Sequence, residues 1–130
     1  MKKTQDILYI ELKSHHSDDG PAWIGRVEYS KSGQTIYFDD KAFASLKGAG
    51  SAGNYYDIET GDEYWISGVK KNGQDRHWAG NGLILVDESI VDNYLRLRNL
   101  SALDTKLYGI FRPKKGNIRE RVKELANQKL

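Results

Sequence analysis

The sequence predicts a mainly β chain with C-terminal helices, an α+β fold built on a small SH3-like or partly open antiparallel β-barrel. Three observations carry that expectation. About six short segments alternate in polarity or concentrate β-branched and aromatic residues, tight-turn residues separate them, and helical periodicity is confined to the stretches near 88–98 and 117–128. A sheet of many short strands protects its edges by closing on itself.

Taken in order, Ile7–Lys13 sets Leu8, Ile10 and Leu12 against Tyr9, Glu11 and Lys13, the period-two pattern of a strand with one buried face. From Ala22 to Tyr29, the residues Trp23, Gly25, Val27 and Tyr29 share one face, with Ile24, Arg26 and Glu28 opposite. Ser32-Gly33 turns the chain into Thr35–Phe38, so these three segments form a meander. Asp39 or Asp40 is expected to cap a single helical turn through Phe43 and Leu46, because a short acidic side chain accepts the free amide hydrogens that begin a helix. Tyr55–Ile58 and Tyr64–Val69 flank Glu59-Thr60-Gly61-Asp62 as a hairpin.

Asn72-Gly73 suits the two positive-φ positions of a type I′ turn and predicts a second hairpin between Trp65–Lys70 and Asp75–Trp78. Leu83–Val86 reads as a buried strand. Asp87 then caps a helix in which Ile90, Val91, Tyr94, Leu95 and Arg98 recur at helical spacing. Ser101–Asp104 follows the capping-box pattern, Tyr108–Phe111 is a short apolar run, and Pro113–Gly116 links to an amphipathic helix bearing Ile118, Val122, Leu125 and Ala126 on one face. The expected organisation is a β-rich domain over 1–100, closed by the helix near 88–98, and a C-terminal extension over 101–130.

At 130 residues, with 38% hydrophobic and 29% charged side chains, the chain is sized for one hydrophobic core and lacks the composition of a disordered segment. No cysteine is present, which removes disulfide and thiolate chemistry. The polar N-terminus and the charges Glu11 and Lys13 interrupt any apolar run of a signal peptide or membrane span, so a cytoplasmic protein without membrane contact is expected, as monomer or homodimer. Charge is unevenly placed. Residues 1–110 carry 13 Lys/Arg against 16 Asp/Glu, whereas 111–130 carry 7 against 2, so the overall +2 comes from the tail.

Four constellations carry possible chemistry. Gly48-Ala49-Gly50-Ser51-Ala52-Gly53 matches G-x-G-x-x-G, but an extended segment follows where a dinucleotide fold needs a helix. His15-His16-Ser17-Asp18-Asp19, joined by His77, offers imidazoles and carboxylates to a metal; turn chemistry at Asp18-Asp19-Gly20-Pro21 explains the same residues without one. Lys70, Lys71, Arg76, His77 and Trp78 surround Asn72-Gly73, and a basic ribbon with an aromatic ring contacts phosphates and stacks bases; lysines also keep an exposed edge soluble. Finally, Trp23, Tyr55, Tyr56 and Trp65 lie near glycines, and three Trp with eight Tyr exceed the ordinary needs of a core this size. Core packing accounts for most of them, and some are expected to line a groove or interface.

The segments Ser17–Gly25, Gly53–Gly61, Tyr64–Gly73 and Asp75–Gly80 resemble a group of short bacterial proteins of unknown function, over about residues 7–95. That resemblance implies no activity and no cofactor. The function expected from the residues is a non-catalytic binding module that recognises a protein or nucleic-acid partner through Trp23, Tyr55, Tyr56, Trp65, Trp78, Lys70, Lys71, Arg76 and His77. The alternative is a small metal-dependent hydrolase that uses His15, His16, Asp18 and Asp19 with His77.

Overall fold

The computed structural model describes residues 6–16, 20–47, 53–76 and 82–128. Nine strands form one sheet: β1 (Ile7–Leu12), β2 (Ala22–Arg26), β3 (Glu28–Tyr29), β4 (Thr35–Phe38), β5 (Lys41–Ser45), β6 (Tyr55–Asp57), β7 (Glu63–Gly68), β8 (Ile84–Asp87) and β9 (Tyr108–Phe111). Two α-helices, α1 (Val91–Arg98) and α2 (Ile118–Gln128), complete the fold, and a 3-10 turn at Glu88–Ile90 leads into α1. The strand order is β3-β4-β5-β6-β7-β1-β2-β8-β9.

β2 and β3 are two halves of one bent segment, separated only by Val27. Its first half pairs with β1, and its second half pairs with β4. The antiparallel part of the sheet therefore begins and ends on the same stretch of chain, which rolls it into a partly open barrel. β8 and β9 then extend β2 by parallel pairing, with α1 as their crossover. The sheet is mixed rather than purely antiparallel. The parallel pair arises because Asp87 stops β8 by accepting from Ser89 N at 2.9 Å, and the helix so begun carries the chain back beside β8.

The expectation of one buried face on β1 needs correction, because both faces are covered. Leu8 and Ile10 point into the barrel with Val27, Ile36, Phe38, Phe43, Tyr64 and Ile66. Tyr9 points the other way, into a second cluster with Ala22, Ile24, Ile84, Val86, Ile90, Tyr94 and Tyr108. β1 runs between β7 and β2, and the α1 layer packs over that outer side. The barrel interior is aromatic: Phe43 and Tyr64 meet edge to face at 4.7 Å between centroids, and Phe38 meets Phe111 at 5.9 Å.

Two turn assignments also change. Phe38 pairs directly with Lys41, and Asp39 and Asp40 both adopt positive φ (53° and 58°), so they form a two-residue type I′ hairpin turn rather than a helical cap. Asp tolerates the left-handed conformation better than most residues. At Asn72-Gly73 only Gly73 has positive φ (76°) and its amide donates to Lys70 O, which makes a tight turn; residues 74–76 do not return as a strand. The Glu59–Asp62 hairpin and the α2 helix form as the sequence predicts. The glycine run at 48–52 lies outside the described residues.

Gly25 marks where the bent segment meets the core. A Cβ there would lie 2.7 Å from Phe38 Cζ, nearer still to Cε1, and 3.2 Å from Asp87 Cβ. Gly25→Ala should therefore lower the unfolding free energy by about 1–3 kcal/mol through overpacking. A urea melt with an unchanged midpoint would contradict this packing.

Candidate functional site

Strand register sorts the predicted aromatic residues onto opposite faces. Tyr55 pairs with Tyr64, which lies in the barrel core, and Trp23 packs its ring at 6.5 Å from that of Tyr64. Trp23 and Tyr55 are thus half-buried supports of the interior. Tyr56 stands opposite Glu63, and Trp65 stands opposite Glu11 of β1, so Tyr56, Glu63, Trp65 and Glu11 share the outward face of β6, β7 and β1. Trp65 is 40% and Tyr56 37% exposed, large values for rings carried in a sheet. Beyond the end of β7, Lys70 and Lys71 are exposed on the tight turn. His77 and Trp78 lie outside the described residues.

Beside this face lies a buried ionic cluster. Glu11 is only 1% exposed. Its Oε1 accepts from Tyr9 OH at 2.5 Å, and its Oε2 lies 2.8 Å from Lys13 Nζ and 3.8 Å from Arg76 Nη1. Arg76 Nη2 also donates to Gly20 O at 3.0 Å, tying the 75–76 segment to the chain just before β2. Burial, then the hydrogen bond to Glu11, pushes the Tyr9 hydroxyl well above its ordinary range. Tyr9 is consequently a fixed donor. Taking a carboxylate out of water costs several kcal/mol unless it is closely compensated, on the order of what these cations and the phenol supply. Enclosed in this way, Glu11 is built to hold structure rather than to attack a substrate.

The turn after β7 is anchored just as firmly. Asp75 Oδ1 accepts from Lys70 N at 2.7 Å, while its Oδ2 is enclosed with no hydrogen-bond partner among the described residues. Burial raises the Asp75 carboxyl above its ordinary pKa, opposed by the Lys70 amide and by the Lys70 and Arg98 charges. Gly73 takes the positive φ of the turn, and the Arg98 guanidinium packs closely against it, so that a Cβ there would stand 2.6 Å from Arg98 Nη1. Arg98 Nη1 in turn donates to Tyr94 OH and Tyr108 OH, each at 2.8 Å, and its guanidinium sits over the Tyr94 ring. Arg98 of α1 thus packs against the lysine turn at Gly73.

The C-terminal basic segment is matched to the barrel's acids. Arg121 contacts both Asp40 Oδ1 and Glu59 Oε2 at 2.9 Å, and Arg119 Nη2 lies 3.2 Å from Glu28 Oε1 with its guanidinium over the Tyr37 ring. Between this segment and the barrel is a cleft of about 530 Å3.

His15 and His16 are exposed, His15 with φ 66°, while Asp18, Asp19 and His77 lie outside the described residues. Among the described residues no group of three His, Asp or Glu side chains is placed to hold a metal ion, and no helix is long and apolar enough to cross a membrane. The chain matches no protein-family model, no curated protein and no solved structure. The Tyr9–Glu11–Arg76 cluster escaped the sequence pattern. Its only signal was an acid in a strand whose neighbours turned out to cover both faces.

Two outcomes follow. Arg76→Met should destabilise the fold by about 2–4 kcal/mol by leaving Glu11 undercompensated, whereas Lys71→Met should change it by less than about 0.5 kcal/mol. Equal effects in chemical denaturation would show that Arg76 is an ordinary surface cation. For Asp75, a raised folded-state pKa means that the native state binds more protons than the unfolded chain just above pH 3.8, so its contribution falls as pH rises through that window. Asp75→Asn keeps the Oδ1 acceptor and should remove this slope, with stability at pH 7 equal to or above the parent's.

Proposed function

We propose that the chain is a non-catalytic binding module that recognises a protein partner through the outward face of β6 and β7. The observation that supports this most directly is the pair of exposed rings, Tyr56 and Trp65, held as diagonal neighbours on a rigid sheet. Trp and Tyr are the residue types that most often dominate protein–protein binding energy, because they remove large apolar area from water with few rotatable bonds. Their surroundings favour protein over nucleic acid. Glu63 shares the face, and Arg112, Arg119 and Arg121 of the basic tail are paired with Glu88, with Glu28, and with Asp40 and Glu59 respectively.

Nucleic acid is the second reading, supported by the exposed Lys70 and Lys71 on the turn beyond β7. Polyanion binding weakens steeply with salt, whereas an aromatic protein interface does not. Affinity purification with and without nuclease, at low and high salt, separates the two. Under the protein reading, recovery of a defined partner survives both treatments and falls more than about tenfold with Trp65→Ala or Tyr56→Ala, while the variants keep the parent's circular dichroism and melting temperature. Loss of recovery on nuclease treatment, or retention by both variants, would overturn it.

A further inference from the structure

The C-terminal segment meets the barrel in a way unlike the packing elsewhere in the molecule. Elsewhere, elements are held by buried apolar side chains; α2 contributes one buried residue, Ile118, with Val122 and Leu125 half-buried, and its side-chain polar contacts to the barrel are the ion pairs of Arg119 and Arg121. The receptor for those contacts is the Asp39-Asp40 turn. Asp40 receives Arg121 at both its carboxylate and its carbonyl oxygen, at 2.9 Å and 2.8 Å. Asp39 Oδ1 accepts from Lys114 N at 2.7 Å. Gly116 passes so close to Asp40 that a Cβ would stand 2.6 Å from Oδ2. Glu59 completes the grip on Arg121, and that hydrogen bond is the main reason its carboxyl titrates below the ordinary range.

The cleft beneath has walls of opposite sign. Glu28, Asp39, Asp40, Asp87 and Glu88, with Arg26 as the one cation among them, come from the barrel and the turn before α1, while Arg112, Lys114 and Lys115 come from the passing segment. Such walls attract across water. Exposed ion pairs, however, are individually weak and screened by salt, and the screening length shrinks from about 10 Å at 0.1 M to about 3 Å at 1 M.

We propose that residues 112–128 form an electrostatic clasp: a strap and helix that close over the cleft and open as a unit while the barrel stays folded, with Asp40, Glu59 and Arg121 as the catch. When open, the clasp exposes the cleft and frees the arginines of α2, so closure is autoinhibitory toward any anionic contact made by the tail. This does not rest on the aromatic face: Tyr56 and Trp65 make none of the clasp's contacts, although the hairpin joining their strands supplies Glu59.

Hydrogen exchange of the full chain read by mass spectrometry tests it, using parent protein and the Asp40→Asn/Glu59→Gln and Arg121→Gln variants at 0.05 M and 0.5 M sodium chloride. Asn at position 40 retains tolerance for positive φ, so the turn itself is preserved. The clasp predicts that amides of 118–128 exchange about tenfold faster in either variant, and faster in the parent at high salt, while amides of β1 keep their protection. Salt should have little further effect on the variants. If 118–128 and β1 lose protection together, or if neither variants nor salt change the helix, α2 is an integral part of the fold and the clasp is wrong. Asp92→Asn, which alters an exposed charge on α1, serves as the control for general charge effects.

Discussion

Burying both faces of one strand is the constraint on which this structure rests. β1 divides its side chains between two sides, Leu8 and Ile10 toward the barrel core and Tyr9 and Glu11 outward, where Tyr9 meets the α1 layer and Glu11 meets Lys13 and Arg76. Strand side chains alternate, so a slip of one residue against β2 or β7 would move Glu11 among Phe43 and Tyr64 and expel Leu8 and Ile10. Register is therefore specified twice over. The carboxylate contributes by its cost in the wrong place as much as by its ion pairs in the right one.

The two cores also explain how a chain of this length supports nine strands. The bent 22–29 segment closes the barrel, with Gly25 giving Phe38 room to lie against it. The β8–α1–β9 unit then covers the outside of β1 and β2, where Tyr94, Tyr108 and Arg98 join helix, strand and the turn after β7. What remains uncovered on the outward face of β6 and β7 is left so by position, since the α1 layer does not reach Tyr56 and Trp65.

Local signals made much of the fold legible. Alternation located β1 and the 22–29 segment, Glu59–Asp62 marked a hairpin, and Asp87 marked the start of the helix after β8. The Asp39-Asp40 turn was not legible, because Asp serves both as a helix cap and as a left-handed turn residue, and the pairing of Phe38 with Lys41 decides between them. The site was harder to read. Whether Trp23 or Trp65 faces outward depends on which strands flank it, and Arg76 looks like a surface cation until Glu11, far away in sequence, is placed beside it. Composition revealed the excess of rings without saying which were free.

The outermost strand has a consequence for how these molecules behave when crowded. Among the described residues, β9 ends the sheet, with a row of backbone donors and acceptors that no strand shares beside the exposed side chains of Leu107 and Ile110. That combination invites edge-to-edge pairing with a strand of another molecule. The row is only four residues long and ends in Arg112-Pro113, where a charge and a missing amide proton spoil the template for a neighbour. The arginine and the proline thus limit such pairing at the point where the sheet stops.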